Sequence, residues 1–167
     1  MLPKNHFIFG MIAFAVLYFG FSVGVFGCFI FLVATVGIDV DHYLYYVYRK
    51  KDWNLERAIR WFVNSGKNIA KLDKKKRVEF YTGFCFLHGI EVVVLFWVLG
   101  FFTWNSFYFV SLGFGFHLIL DYVHQVRTKN RFDKFSIVYD YFKYGDLKFV
   151  GELEGLGKRT TEGLKNK

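Results

Sequence analysis

The sequence predicts an all-α integral membrane bundle of about four helices in two hairpins, with an amphipathic helix in the polar loop between them. Three observations carry this reading. The 167 residues are 54% hydrophobic and 23% aromatic, well above the usual content of a soluble domain. From Asn5 to Ile38 there is no Lys, Arg, Asp or Glu, and a second apolar block runs from Tyr81 to Tyr122. Apart from Lys4, every Lys and Arg lies between Arg49 and Arg77 or between Arg127 and Lys167, so the cations flank the apolar blocks and never interrupt them.

Read as one helix, the first block would be about 50 Å long against a hydrocarbon core of about 30 Å, so it has to break. The stretch "YFGFSVGVFG" (18–27) supplies the place, because Gly20, Gly24 and Gly27 tolerate a turn and allow close helix approach. The two passes are short, which implies tilting, local thinning of the bilayer or a re-entrant path. The second block turns at "GFFTWNSF" (100–107). A cleaved signal peptide does not fit, since the apolar run continues more than 20 residues past Ala13 and Ala15. Cys28 and Cys85 lie in apolar runs without a CxxC and read as buried thiols.

In the central loop, "DWNLERAIRWFV" (52–63) begins with a helix-capping Asn54. Leu55, Ile59, Phe62 and Val63 then form one face and Glu56, Arg57 and Arg60 point elsewhere, the pattern of an interfacial helix. "KLDKKKRVEF" (71–80) reads as a solvated basic segment, and "FDKFSIVYDYFKY" (132–144) as a segment against the membrane or the bundle. Residues 1–150 form a single membrane-embedded domain with polar loop 43–80, and 151–167 a disordered basic tail. An up-down-up-down path puts both termini and the central loop on one side, which the positive-inside rule makes cytoplasmic. The net charge of +8 then serves topology and attraction to anionic lipid head groups, at about 1 kcal/mol per cation near the surface. Nucleic acid is not expected as a partner, because the aromatics lie in apolar runs and are not interleaved with the cations.

Against this apolar background, "GFGFHLILDYVH" (113–124) stands out: His117, Asp121 and His124 share one helical face. Three further groups resemble it, namely His6, the "DVDH" of Asp39, Asp41 and His42, and His88 with Glu91. His6 opens the first pass, "DVDH" closes the second, His88 opens the third and "HLILD" closes the fourth, so the hairpin topology brings all four groups to one side. Each of Asp39, His88 and His117 is 10 or 11 residues from its flanking cation, roughly 15 Å if the intervening chain is helical. An acid at the centre of a membrane helix costs about 2.5–3.5 kcal/mol. A divalent cation offsets that cost and keeps the carboxylates ionised. Mixed imidazole and carboxylate donors suit zinc, or iron or manganese, better than calcium. Taken singly, each group also reads as an ordinary polar helix end, and His124 as a surface residue. Glu91, followed by "VVVLFWVLG", needs a partner or a proton.

"NHFIFGMIA", "GIDVDHYLYY", a His at the opening of the third pass and "GFGFHLILD" together resemble the inner-membrane metal-dependent hydrolases called YdjM-like, over residues 5 to 124. The resemblance implies metal-site roles for His6, Asp39, Asp41, His42, His88, His117 and Asp121, and a distant likeness to zinc-dependent phospholipase C. Ile38 stands where the family has Pro, and "FLHGIE" stands where it has His-Arg-Gly-x-Thr-His-Ser. The expected activity is hydrolysis of a phospholipid, or of another phosphodiester or ester, at the cytoplasmic membrane face. One or more ions would activate water, with Glu91 or Asp41 as general base. The competing expectation is a non-catalytic small membrane protein that holds a metal or protons. A conduit fits less well, because the far halves of the helices offer only Ser22, Thr103, Asn105 and Ser106.

Overall fold

The computed structural model describes residues 3–77, 79–81, 83–129, 135–144 and 148–149. The first apolar block forms α1 (Pro3–Ala15), prolonged by a π-helical turn at Val16–Gly20, and α2 (Val25–Gly37). The reversal falls inside the predicted break and turns on Ser22, whose φ of 53° is left-handed. After a bend at Ile38 and Asp39 the chain continues as α3 (Val40–Lys50). The later block forms α6 (Ile90–Phe102) and α7 (Ser106–Lys129), reversing over residues 103–105; the polar loop between the blocks holds α4 (Leu55–Lys71) and the short α5 (Lys74–Arg77).

Helix α7 packs against both α2 and α6, and α1 packs against α2. The α2–α7 contact depends on Gly113: a Cβ there would lie 2.6 Å from the Phe31 carbonyl oxygen and 2.7 Å from the Ala34 Cβ. Ala34, Ile38 and Phe114 form the buried apolar centre, with Val92, Val93, Phe96 and Leu118 against it.

Two helical stretches, Val25–Lys50 and Ser106–Arg127, are long and apolar enough to cross a membrane. Their 26 and 22 residues correspond to about 39 and 33 Å, against a hydrocarbon core of about 30 Å. Most of each apolar window lies outside the protein's own interior, unlike a core helix of a soluble protein. Phe7, Ile8, Ile12, Phe26, Val33, Leu95 and Trp97 are all more than half exposed. The 13 residues of α6 reach only about 20 Å.

The structure corrects the sequence reading at His88. The third apolar helix starts at Ile90 and not near Tyr81, so His88 lies in a turn before the helix and does not open it. Backbone groups here are satisfied from outside: the Leu87 N–H donates to Asp41 Oδ2 (2.9 Å) and the Ile90 N–H to the Phe135 carbonyl (2.8 Å). Phe80–Tyr81 (β1) pairs in parallel with Lys148–Phe149 (β2), the one strand pairing among the described residues. Asn54 caps α4 as expected, its side chain accepting from the Arg57 N–H at 2.9 Å. The positions that α4 buries are Ala58, Trp61, Ser65 and Ile69, while Leu55 and Ile59, on the apolar face read from the sequence, are exposed. Trp61, the largest side chain available, packs with Ala58 against Tyr46 and Val47 of α3, and that contact sets the rotation of the helix. The segment predicted over 132–144 contains α8 (Ile137–Tyr144); the tail predicted over 151–167 lies outside the described residues.

Candidate metal centre

The bend at residues 38–39 places Asp39 at the N-terminus of α3, with Asp41 and His42 in its first turn. His6 comes from the first turns of α1, His117 and Asp121 from one face of α7, and His88 from the turn before α6. His6, Asp41, His88 and His117 have no exposed surface, and Asp121 is 5% exposed. Among the described residues, three sets of donors fall close enough together to hold a cation: Asp39 with His88 and His117; His6 with His117 and Asp121; and Asp41, His42, Cys85 and His88. All seven predicted ligands are therefore brought together, in overlapping sets.

The innermost contact is the most informative. His117 Nδ1 is 2.7 Å from the Thr35 carbonyl oxygen, which can only accept, so Nδ1 carries the proton. His88 Nδ1 is 2.9 Å from Asp41 Oδ2 and by the same reasoning donates to it. Both rings therefore present an unprotonated Nε2, and these two nitrogens face each other at 3.1 Å. Two lone pairs at that separation require a positive charge between them, either a proton or a metal ion. Asp39 Oδ1 lies 3.5 Å from His88 Nε2 and 3.6 Å from His117 Nε2. A tetrahedral zinc with ligand bonds of about 2.0–2.1 Å separates its donors by about 3.3–3.4 Å, so this triangle has the right dimensions.

Two buried groups around it lack hydrogen bonds. Among the described residues, neither nitrogen of His6 has a hydrogen-bond partner, although Nε2 is 3.2 Å from Asp121 Oδ1, and Asp39 Oδ2 is also without one. The His6 ring stacks on His117 at 3.8 Å and 11°. Such orphaned buried groups are rare and costly, and a cation satisfies imidazole and carboxylate together. The residues present thus fit a metal.

Asp41 lies in one of the donor sets and is also held by three hydrogen bonds. Its Oδ2 accepts from the Leu87 N–H and from His88, and its Oδ1 accepts from His42 Nδ1 at 2.9 Å. It orients histidines, as the carboxylate partner of a metal-bound imidazole does. Glu91 belongs to none of the three donor sets. Its carboxylate accepts from Ser136 Oγ (2.5 Å) and from the Ile137 N–H (3.0 Å), which caps α8. His124 is exposed and stands outside the three sets.

Sequence reasoning missed three contributors. Thr35 lies one turn before Asp39 and supplies the carbonyl that fixes the His117 tautomer. Gly113, one turn before His117, lets α7 approach α2 closely enough for that bond. Cys85 is three residues before His88, a Cys-x-x-His spacing readable in "CFLH". The open edge of the centre is at Asp39 and His42, whose side chains are 17% and 20% exposed. A cleft of 420 Å³ lined by Leu44, Tyr45, Tyr48, Phe84 and Phe86 has Asp41 in its wall. Compared with family models, curated proteins and solved structures, the chain finds no match in any of the three.

Proposed function

We propose that this chain is a membrane-embedded, metal-dependent hydrolase acting on a phospholipid, or on another membrane-borne phosphodiester or ester, at the cytoplasmic face. The observation that carries this reading is the facing pair of unprotonated His88 and His117 nitrogens with Asp39 Oδ1 closing the triangle. His88, His117 and Asp39 hold the ion, with His6 and Asp121 beside them. Zinc suits these donors, and when bound it supplies a Lewis acid and a water of lowered pKa. The chain's own part is positional. Asp41 and the Thr35 carbonyl hold the two rings in the ligating tautomer, and Asp39 Oδ2 is free to accept a proton.

Several features support the membrane side of the proposal. The cleft beside Asp41 is walled by apolar and aromatic side chains, suited to the hydrocarbon part of a substrate. Eleven of the 22 cations lie between Arg49 and Arg77, next to the open edge in sequence, and suit anionic head groups and a cytoplasmic location. The arrangement is also in keeping with membership of the YdjM-like hydrolases. The second reading, a non-catalytic metal holder in the membrane, is favoured by the complete burial of four of the candidate ligands, His6, Asp41, His88 and His117.

Detergent-purified protein should contain zinc by elemental analysis and hydrolyse a phosphodiester probe such as bis(p-nitrophenyl) phosphate. His117→Ala should lose hydrolysis and the ion held by the His88–His117–Asp39 triangle, and the exposed Lys75→Ala should keep both. Metal without hydrolysis would select the second reading; no metal in the parent protein would overturn both.

A further inference from the structure

Cys85 is 4% exposed and sits at the start of a turn in which the His88 N–H faces the Cys85 carbonyl at 3.4 Å. That turn wraps over Asp41, because the Leu87 N–H and the His88 ring both donate to Asp41 Oδ2. Its two ends bring a thiol and an imidazole near the same carboxylate, the thiol donating to the Gly83 carbonyl at 3.7 Å. One donor atom each from Asp41, His42, Cys85 and His88 lies within 4.8 Å of the others. Asp41 Oδ1 and His42 Nδ1 are 2.9 Å apart.

We propose that Cys85, His42 and Asp41 form a second cation position, separate from the His88–His117–Asp39 triangle and divided from it by the His88 ring. His88 cannot serve both through one nitrogen: its Nε2 faces the triangle, while its Nδ1 proton stays on Asp41 Oδ2. The second position therefore has three protein donors, Cys85 Sγ, His42 Nδ1 and Asp41 Oδ1. On binding, the sulfur–metal bond forms as the Cys85 proton leaves to solvent. The His42 proton moves to Nε2, with no change of oxidation state. A thiolate selects zinc, or another metal that accepts sulfur, over magnesium and calcium, and a coordinated thiol is deprotonated outright. The proposal extends the functional reading above to a second ion and does not depend on hydrolysis.

The chain has two cysteines, and Cys28 lies in α2 with its thiol directed to the Val23 carbonyl. A Cys28→Ser protein loaded with cobalt(II) therefore reports on Cys85 alone. The expected result is a thiolate-to-cobalt charge-transfer band in the near ultraviolet, together with the visible bands of tetrahedral cobalt and a second equivalent of bound ion. The band should persist in Cys28→Ser/His117→Ala, whose remaining cobalt sits only at the Cys85 position. Visible bands without a charge-transfer band in Cys28→Ser would overturn the second position and leave the first standing. No cobalt bands of either kind would overturn both.

Discussion

A carboxylate in the first turn of an apolar helix needs donors, and Glu91 finds them in Ser136 and the Ile137 N–H. Hydrogen bonds to a charged group are worth about 1.5–3 kcal/mol each. Glu91→Gln should therefore loosen α8, with amide exchange at Ile137 accelerating by roughly tenfold or more, while metal content stays at the parent level. Loss of metal in this variant would return Glu91 to the centre. Asp41 behaves in the opposite way. It accepts from Leu87, His88 and His42 at once, so an amide nitrogen placed there would meet N–H groups. Asp41→Asn should lower metal affinity by about 10–100-fold, measured by competition with a chromogenic chelator. An unchanged affinity would remove Asp41 from its orienting role.

Between elements, the distance from α2 to α7 decides whether His117 reaches Thr35. Because a Cβ at Gly113 would meet the Phe31 carbonyl at 2.6 Å, Gly113→Ala should destabilise the protein by about 1–3 kcal/mol and weaken metal binding with it. Gly66 in α4 has open space around its Cβ position, so Gly66→Ala should stabilise by about 0.5–1 kcal/mol. Thermal unfolding of the two variants in detergent checks both signs. The elbow between α3 and α4 is held by Asp52, which pairs with Arg57 (Nη2 to Oδ1 at 2.8 Å, Nε to Oδ2 at 2.7 Å) and accepts from the Tyr46 hydroxyl at 2.6 Å. These bonds, led by the guanidinium, hold its carboxyl down at about 2. A depressed carboxylate pKa stabilises the fold above the unfolded value of about 3.9. That contribution fades as pH falls from there through the folded value. A carbon-13 titration of the Asp52 carboxyl should therefore show its midpoint near the lower value, and Arg57→Ala should move it up toward the unfolded one.

For the molecule as a whole, the proposed membrane topology turns on the side that each hairpin reversal and the basic loop occupy. Cys28 and Cys85 are buried, so single cysteines can be introduced into the otherwise native chain. Cysteines at Ser22 and Asn105, at the two hairpin reversals, should react with a membrane-impermeant maleimide in intact cells. A cysteine at Asp73 should react only after permeabilisation. The reverse pattern would put the candidate centre and the basic loop on the outer face and sink the proposed topology.

The helical class, both hairpin reversals, the Asn54 cap and the His and Asp members of the donor cluster were legible in the sequence. Each rests on a local property: an apolar run too long for one pass, glycines inside it, a capping side chain, or a polar residue in an apolar setting. Division of labour within the cluster was not legible. Asp41 orients, Glu91 caps another helix, Cys85 joins the donors and Thr35 fixes a tautomer, because each of these depends on distances of a few ångströms between segments far apart in the chain. The rotation of α4 and the non-helical turn carrying His88 have the same origin. Periodicity grouped Leu55, Ile59, Phe62 and Val63 on one face but did not say which positions meet α3, and apolarity did not locate the turn before Ile90. Packing of Trp61 on α3 and backbone hydrogen bonds to Asp41 and Phe135 decided both, since local preferences of a few tenths of a kcal/mol per residue yield to tertiary contacts worth more.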